Sequence, residues 1–310
     1  MIVPYQTVDV FTDRQFGGNP LAVITDATAL PEAAFQQIAA EFNYSETTFV
    51  LPPRDPANTA QVRIFTTESE LPFAGHPNVG TAYVLAEMGR STRLPDGREV
   101  LRFEEGAGLV EVLVRRDGQG RIASTTFTAP QPFRRGAELP AADVAACLGL
   151  PSDAVVVDRH LPVQGSVGLT FTLAELRSLE DLAAIRPSMV EMERCNAQFP
   201  SPERLFAVLA YVRTPHRPDG VDVRCRMFSY GAFIGEDPAT GSANGALIGL
   251  LASLDGRTDG EVRVRSGQGF EMGRPSILDL EADLSGGVVT AVRVGGQSVP
   301  MMRGELRLGE

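Results

Sequence analysis

Cysteine and histidine are scarce in this chain of 310 residues, which contains three of each. The cysteines, Cys147, Cys195 and Cys225, are odd in number and form no Cys-x-x-Cys pair. Their spacing therefore indicates neither a disulfide framework nor a thiolate metal site. We expect three buried thiols.

The histidines also lack the spacing of a metal site. His76, His160 and His216 occur neither as His-x-His nor four residues apart, so no pair would share one face of a strand or helix. The chain has no phosphate-binding loop motif, and the stretch "GQGFEMG" at 267–273 misses the dinucleotide-binding spacing by one residue. We therefore expect no cofactor and no bound metal.

Positive charge and long apolar runs are limited as well. Asp and Glu number 39 against 28 for Lys and Arg, and no basic run stands out. This balance disfavours binding to nucleic acid or to an anionic membrane surface. The longest apolar stretch, "GALIGLLASL", is about half a membrane span, and the N-terminal residues read as a strand rather than a leader. We expect a soluble, cytoplasmic protein.

The composition is that of a globular protein, with 43% hydrophobic and 22% charged residues, and the length is sufficient for two domains. Short β-branched runs separated by Gly, Pro and Asp turns predict many strands and few helices. Such strand-rich halves differ from a doubly wound α/β sheet. The "DGQG" turn near residue 117 and the Pro/Gly-rich segment 129–140 bracket the expected boundary between the halves.

An internal repeat links "AGHPNVGTAYVL" at 74–85 with "EDPATGSANGAL" at 236–247. His76-Pro77 corresponds to Asp237-Pro238, and the Gly-Thr-Ala step to a Gly-Ser-Ala step. In each copy we expect a glycine-rich turn to lead into a helix, at 77 and at 238, whose first amides can bind an anion. For one copy an ordinary capped core helix is the simpler interpretation. Because both copies carry an ionisable residue at the same place, which packing alone does not require, we favour a functional site.

Five segments carry a further signal: "FGGNPLAV" (16–23), "NYSETTFV" (43–50), "LPFAGHPNVGTA" (71–82), "GEDPATGSANGAL" (235–247) and "QGFEMGRPS" (268–276). They resemble the signature blocks of the PhzF family, the phenazine-biosynthesis-like isomerases, and they occur in the family's order across essentially the whole chain. The resemblance implies the α+β fold of diaminopimelate epimerase: two pseudo-symmetric halves, each a mostly antiparallel sheet rolled around a central helix, with the active site in the cleft between them. We expect residues 1–118 and the C-terminal strands at about 291–310 to form one half and 119–290 the other. A homodimer is also implied.

The resemblance further implies cofactor-free proton transfer at carbon. In the related diaminopimelate epimerase and proline racemase, a cysteine from each half faces the substrate, whereas the repeated turns here contain no cysteine. PhzF-like proteins use the glutamate of the "SETTF" block, here Glu46, supported by the histidine and aspartate of the two turns, here His76 and Asp237. A carboxylate can remove and return a proton when burial raises its pKa, and the apolar "TTFVL" strand suits such burial. A surface glutamate, a helix-start histidine and an N-cap aspartate are the ordinary alternatives.

Substrate contacts follow from the same resemblance and from the helix geometry. The amides of Gly241 and Ser242, with the Ser242 hydroxyl, are expected to hold a substrate carboxylate, and Gly80 and Thr81 to form the matching corner of the other half. Asparagine beside glycine and proline is also an ordinary turn residue. The remaining expected binding residues are Asn19, Ser45 and Gly75.

We therefore expect an isomerase or epimerase that moves a proton between carbons of a small carboxylate-bearing metabolite through Glu46. Two alternatives remain open. One is a two-base racemase or epimerase in which Asp237 faces Glu46 across the substrate. The other is a protein of the same fold that binds a metabolite or partner without turnover. The joint presence of Glu46, His76 and Asp237 favours an enzyme.

Overall fold

Strands dominate the fold, as the many short β-branched runs indicate. The computed structural model describes residues 1–201, 206–216, 219–230 and 235–309. The helices are α1 (Glu32–Phe42), α2 (Gly75–Glu87), α3 (Ala141–Leu148), α4 (Leu179–Ala184), α5 (Met189–Gln198) and α6 (Gly241–Ser253), with a 3₁₀ turn at Ser152–Ala154. The strands are β1 (Ile2–Val10), β2 (Asn19–Ile24), β3 (Glu46–Leu51), β4 (Ala60–Phe65), β5 (Glu70–Leu71), β6 (Thr92–Arg93), β7 (Glu99–Glu105), β8 (Gly108–Arg116), β9 (Ile122–Thr128), β10 (Arg134–Glu138), β11 (Val163–Ser166), β12 (Thr170–Glu175), β13 (Phe206–Arg213), β14 (Val223–Tyr230), β15 (Gly235–Asp237), β16 (Gly260–Gln268), β17 (Ser276–Ser285), β18 (Val288–Gly296) and β19 (Ser298–Arg307).

The chain forms two compact units, residues 1–130 with 295–310 and residues 131–294. The sequence places these divisions after about residues 118 and 290, and the predicted cleft between the halves stays a prediction. None of the helices in the described ranges is both long and apolar enough to cross a lipid bilayer. The predicted cytoplasmic location stays a prediction too.

The two units repeat one order of strand pairing. In the first unit β2–β3 is parallel, β3–β4 antiparallel, β4–β7 parallel and β7–β8 antiparallel. In the second unit β12–β13, β13–β14, β14–β16 and β16–β17 follow the same alternation. The predicted α+β fold of two pseudo-symmetric halves is confirmed.

Each sheet surrounds one helix that is buried on nearly all sides. Every residue of α6 from Gly241 to Ala252 is buried, and in α2 the exceptions are Tyr83 and the last residue, Glu87. Among the strands of its own unit, α2 contacts β1, β2, β3, β8, β9 and β19, and α6 contacts β10, β11, β12, β16 and β17. A helix that is apolar all round belongs in a core, so these are the central helices that the repeat predicts.

Glycine permits the close approach of both central helices to their sheets. A Cβ at Gly80 would lie 2.6 Å from Cδ2 of Leu21, and a Cβ at Gly249 would lie 2.4 Å from Cδ2 of Phe133. Neither distance is available to a real Cβ, so a side chain at either position requires its neighbours to move.

The remaining helices cover the outer faces of the sheets. In the first unit, Phe35 of α1 stacks on Phe49 of β3 with ring centroids 4.5 Å apart. In the second unit, α3, α4 and α5 pack on one buried cluster against β13 and β14. Cys147 of α3 and Cys195 of α5 meet there, with their sulfur atoms 3.3 Å apart and both side chains buried.

We expect Gly249→Ala to destabilise the protein. Alanine in place of glycine favours an isolated helix by about 1 kcal/mol, but overpacking a core costs roughly 1 to 3 kcal/mol, and the contact with the Phe133 ring makes the second effect larger. Chemical denaturation of the variant should show a lower free energy of unfolding than the parent. Gly118→Ala is the control, because nothing lies within 4 Å of a Cβ there. Equal stability of Gly249→Ala and the parent would contradict this packing.

Candidate active site

Strand β3 presents alternate residues to the central helix of the first unit. The hydroxyl oxygens of Thr48 and Thr81 lie 2.9 Å apart, fully buried, so Thr48 faces α2. Phe49 faces the opposite way, toward α1. Because side chains two residues apart share one face of a strand, Glu46 also lies on the α2 face. The start of β3 thus carries its carboxylate toward the first turn of α2.

Glu46 and His76 are in contact. Oε2 of Glu46 lies 3.3 Å from Nδ1 of His76, and the two side chains are 16% and 4% exposed. Asn19 is fully buried at the start of β2, with its amide nitrogen 3.3 Å from the same Nδ1. The structure therefore brings together three of the residues that the sequence assigns to the site.

His76 is neutral near physiological pH. Burial lowers the pKa of His76 to about 3, and the backbone carbonyl of Pro20 opposes this only in part. Nδ1 thus faces a hydrogen-bond donor, the Asn19 amide, and an acceptor, the Glu46 carboxylate. A neutral imidazole nitrogen serves only one of these roles at a time. Nδ1 can therefore bond to only one of these two groups at a time.

The other expected binding residues of the first unit lie at the starts of α2 and β3 or in the second turn of α2. Gly75 is the first residue of α2, and Ser45 directly precedes β3 and is half-buried. Gly80 and Thr81 lie in the second turn of α2, where Gly80 packs on β1 and β2 and Thr81 bonds to Thr48. Packing explains both of these residues, and their contact with substrate stays a prediction.

Two polar residues near the first turn of α2, Asn78 and Glu105, were not predicted from the sequence. Asn78 is fully buried and donates from its amide to the Ala74 carbonyl, 2.9 Å away. Glu105 ends β7 and turns its carboxylate inward, with both oxygens buried and neither within hydrogen-bonding geometry of another described residue. Burial raises the pKa of Glu105 well above its usual range, and the Asn78 side chain opposes this shift. Burial thus favours the protonated, neutral form of Glu105.

In the second unit, Asp237 belongs to a buried network at the start of α6. The Thr240 hydroxyl donates to Oδ2 of Asp237 at 2.5 Å. The amide nitrogen of Gln268 donates to the Asp237 carbonyl at 2.7 Å and to the Thr240 hydroxyl at 3.1 Å. Asp237, Thr240 and Gln268 are all buried. Gln268 lies in the quoted "QGFEMGRPS" block, but no local pattern in that block indicates its contact with Asp237.

Gly241 and Ser242 are the first two residues of α6. Their backbone amides therefore lie at the helix N-terminus, where the predicted binding of a carboxylate requires them. Thr240 occupies the N-cap but makes no capping bond, and Ala74 at the N-cap of α2 makes none either. The first amides of both helices are therefore not capped by the side chain at the N-cap. Such amides are suited to an anionic group.

The register of the repeat read from sequence is wrong by five residues. The helices begin at Gly75 and Gly241 rather than at 77 and 238. Asn244 donates to the Thr240 carbonyl just as Asn78 donates to that of Ala74, four residues earlier in each helix. His76 therefore corresponds to Ser242 and not to Asp237. The two prolines misled the alignment, because Pro77 lies inside the first turn of α2 whereas Pro238 precedes α6.

The three thiols are buried and free. Burial raises the pKa of Cys225 to about 12, and burial also raises the pKa values of Cys147 and Cys195. Cys225 packs beside Ser266 and Asn244 at the base of α6. A thiol that holds its proton this tightly is a poor nucleophile and a poor base.

Solved structures share this fold of a sheet around a central helix. A PhzF-family phenazine biosynthesis protein of Bacillus anthracis matches with a TM-score of 0.84 at 22% identity, over 99% of this chain and 100% of that one. A hydroxyproline epimerase of Agrobacterium vitis matches with a TM-score of 0.65 at 15% identity, over 98% and 91%. At these identities the likeness shows the fold alone.

Sequence comparison gives the family. The model for phenazine biosynthesis-like proteins, PhzC-PhzF, matches residues 8–304. An uncharacterised isomerase of Mesorhizobium japonicum is 36% identical over 97% of this chain and 98% of its own. A trans-2,3-dihydro-3-hydroxyanthranilate isomerase of Pseudomonas fluorescens is 34% identical over 98% and 99%. The chain belongs to the PhzC-PhzF family, and the predicted family and isomerase class are confirmed.

We expect Glu105→Gln to change how stability depends on pH. Because the pKa of Glu105 is raised in the folded protein, the unfolded chain loses this proton first, at about its usual value of 4.5. The free energy of unfolding of the parent should therefore fall relative to the variant as pH rises above 4.5, by up to about 1.4 kcal/mol per unit until the folded protein also ionises. Urea denaturation from pH 5 to 8 measures the difference.

The neighbouring Glu104 supplies a control of opposite sign. Hydrogen bonds from Asn58 and from the backbone amides of Asp55 and Arg54 lower the pKa of Glu104. Glu104→Gln should therefore lose stability relative to the parent as pH rises through the usual glutamate range. Parallel pH curves for the parent and Glu105→Gln would show that Glu105 is not held neutral.

Replacing Cys147, Cys195 and Cys225 together by alanine should leave turnover per folded molecule nearly unchanged. The expected cost is in stability, because buried side-chain volume is lost. Activity should be normalised to the folded fraction measured by circular dichroism. Inactivation traced to alkylation of one of these thiols, with the fold intact, would contradict this expectation.

Proposed function

We propose that this protein is a cofactor-independent isomerase that moves a proton between carbon atoms of a small carboxylate-bearing metabolite. Glu46 removes the proton and returns it, His76 tunes Glu46, and Asp237 supports the substrate. The contact between the Glu46 carboxylate and the buried, neutral His76 is the observation that carries the proposal. In this contact the His76 ring can donate a hydrogen bond to the ionised Glu46 or accept one from protonated Glu46, depending on its tautomer.

The coupling of the two side chains suits a single acid/base group. When Glu46 is ionised, a proton on Nδ1 of His76 can be donated to it. In the other tautomer, with the proton on Nε2, Nδ1 can instead accept a hydrogen bond from a protonated Glu46 or from the Asn19 amide, which lies at the same distance. Either tautomer thus leaves His76 able to bond to Glu46, which suits a group that acts as base and then as acid.

The substrate carboxylate is proposed to bind at a helix N-terminus. In the second unit the amides of Gly241 and Ser242 and the Ser242 hydroxyl are suited to it. In the first unit Asn19, Ser45 and Gly75 surround Glu46 and His76, while Gly80 and Thr81 support this corner from the second turn of α2. The overall charge of −11 makes no general attraction for an anion, so local amides must provide it.

The relatives suggest the first compound to test. Several Pseudomonas relatives carry the name trans-2,3-dihydro-3-hydroxyanthranilate isomerase, and this compound is a small carboxylic acid. We propose it as a trial substrate for the present chain. A homodimer, which the family resemblance implies, stays a prediction.

A two-base reaction is the second candidate. The Asp237 carboxylate is buried and accepts a short hydrogen bond from Thr240, so it is fixed in position. If Asp237 delivers or removes a second proton, the protein is a racemase or epimerase. A protein that binds a metabolite without turnover is the third possibility.

Glu46→Gln should slow turnover by at least roughly 10²-fold to 10⁴-fold while substrate still binds. Glutamine keeps the shape of the side chain but cannot hold a proton to donate. The measurement is incorporation of deuterium from deuterated water into a C–H bond of the substrate, followed by NMR. Binding is checked separately by calorimetry.

The matched variants are Asp237→Asn and His76→Gln. Both should slow the proton step less than Glu46→Gln if they only orient the substrate and tune Glu46. Parent-like exchange by Glu46→Gln, together with loss of exchange in Asp237→Asn, would assign the base to Asp237 instead. Binding without exchange in the parent would indicate a binding protein for that compound.

A further inference from the structure

Gln268 and Thr240 form a hydrogen-bonded relay that ends on the Asp237 carboxylate. We propose that both are positioning residues of the reaction, which direct a hydroxyl proton at Oδ2 of Asp237 and thereby keep this carboxylate fixed and ionised. The inference rests on the proposed role of Asp237 in the site and assigns its two supporting side chains.

The Gln268 amide can adopt only one orientation. Its oxygen accepts from the Thr240 backbone amide at 3.2 Å and from the Asn244 side chain at 2.9 Å. Its nitrogen donates to the Asp237 carbonyl at 2.7 Å and to the Thr240 hydroxyl at 3.1 Å. Exchanging the oxygen and nitrogen would set a donor against the Thr240 amide and an acceptor against the Asp237 carbonyl. The fully buried amide is therefore locked by four partners.

This orientation fixes the direction of the Thr240 hydroxyl. The Gln268 nitrogen has no acceptor capacity, so the hydroxyl must accept from it. The hydroxyl proton then points to Oδ2 of Asp237, 2.5 Å away. Donation to a carboxylate oxygen favours its ionised form, since a hydrogen bond to a charged acceptor is stronger than one to a neutral acceptor.

The place of Thr240 in the helix shows that its role is not capping. Threonine at an N-cap commonly accepts a hydrogen bond from an amide of the first turn. Here the side chain makes no such bond and is turned to Asp237 and Gln268 instead. The N-terminus of α6 therefore lacks a capping bond from Thr240, because the Thr240 hydroxyl donates to the Asp237 carboxylate instead.

Removal of the hydroxyl should change the pH dependence of the reaction and not only its rate. In Thr240→Val the ionised carboxylate loses a hydrogen-bond donor that favours its charged form. The acid limb of the Asp237-dependent pH–rate profile should therefore move up by about 1 to 2 pH units. Thr240→Ser keeps the hydroxyl and should restore the parent profile.

A double-mutant cycle separates this inference from the proposed function. Deuterium exchange of the trial substrate is measured for the parent, Thr240→Val, Asp237→Asn and the double variant. If Thr240 acts through Asp237, Thr240→Val slows exchange in the parent but not in the Asp237→Asn background. Equal effects in both backgrounds would overturn the relay, whereas parent-like exchange by Asp237→Asn alone would overturn the proposed role of Asp237.

Gln268→Met tests the first step of the relay. It removes the amide donor without adding a charge, so the Thr240 hydroxyl is no longer directed, and it should shift the profile in the same sense as Thr240→Val. If the Gln268 variant does not fold, the Thr240→Val and Thr240→Ser pair decides alone. Identical pH–rate profiles for valine and serine at position 240 would overturn the proposal.

Discussion

The enclosure of one helix by one sheet is the constraint on which each unit depends. The first turns of α2 and α6 are fixed in position because the rest of each helix is enclosed on nearly all sides. Glycines set how closely the sheet approaches, and burial then sets the chemistry. It keeps His76 neutral, favours the protonated form of Glu105 and raises the pKa of Cys225. The polar groups that remain near the helix starts are therefore exceptions to an apolar environment.

In each unit a polar side chain at the end of a strand lies beside an asparagine in the first turn of the central helix, but the strand residue differs. At the end of β16 the amide of Gln268 contacts Asn244 in the first turn of α6. At the end of β7 lies Glu105, whose pKa burial raises and the side chain of Asn78, in the first turn of α2, lowers in part. A protonated carboxyl has nearly the shape of an amide and also combines a donor with an acceptor. The repeat therefore extends beyond the helices to the strand ends that support them.

The family, the α+β class and the two central helices could be predicted from the sequence, because signature blocks and runs of small residues are local patterns. The sequence was also sufficient for the meeting of Glu46, His76 and Asn19, but only through the family resemblance. It failed on the register of the repeat, since proline occupies different positions relative to the two helix starts. It also gave no sign of Asn78, Glu105, Thr240 or Gln268 as network residues. A polar residue at a strand end looks the same in sequence whether it faces water or a buried helix.

The glycine-lined contact between central helix and sheet limits how such a protein can diverge. Almost any larger residue at Gly80 or Gly249 would displace the strands around it, so these helices tolerate little sequence change. The outer helices and the loops between strands are under no such restriction. We therefore expect sequence change in such proteins to concentrate in the outer helices and the loops. The fold thus separates a tightly packed centre, where a single added methyl group is felt, from a periphery that can vary.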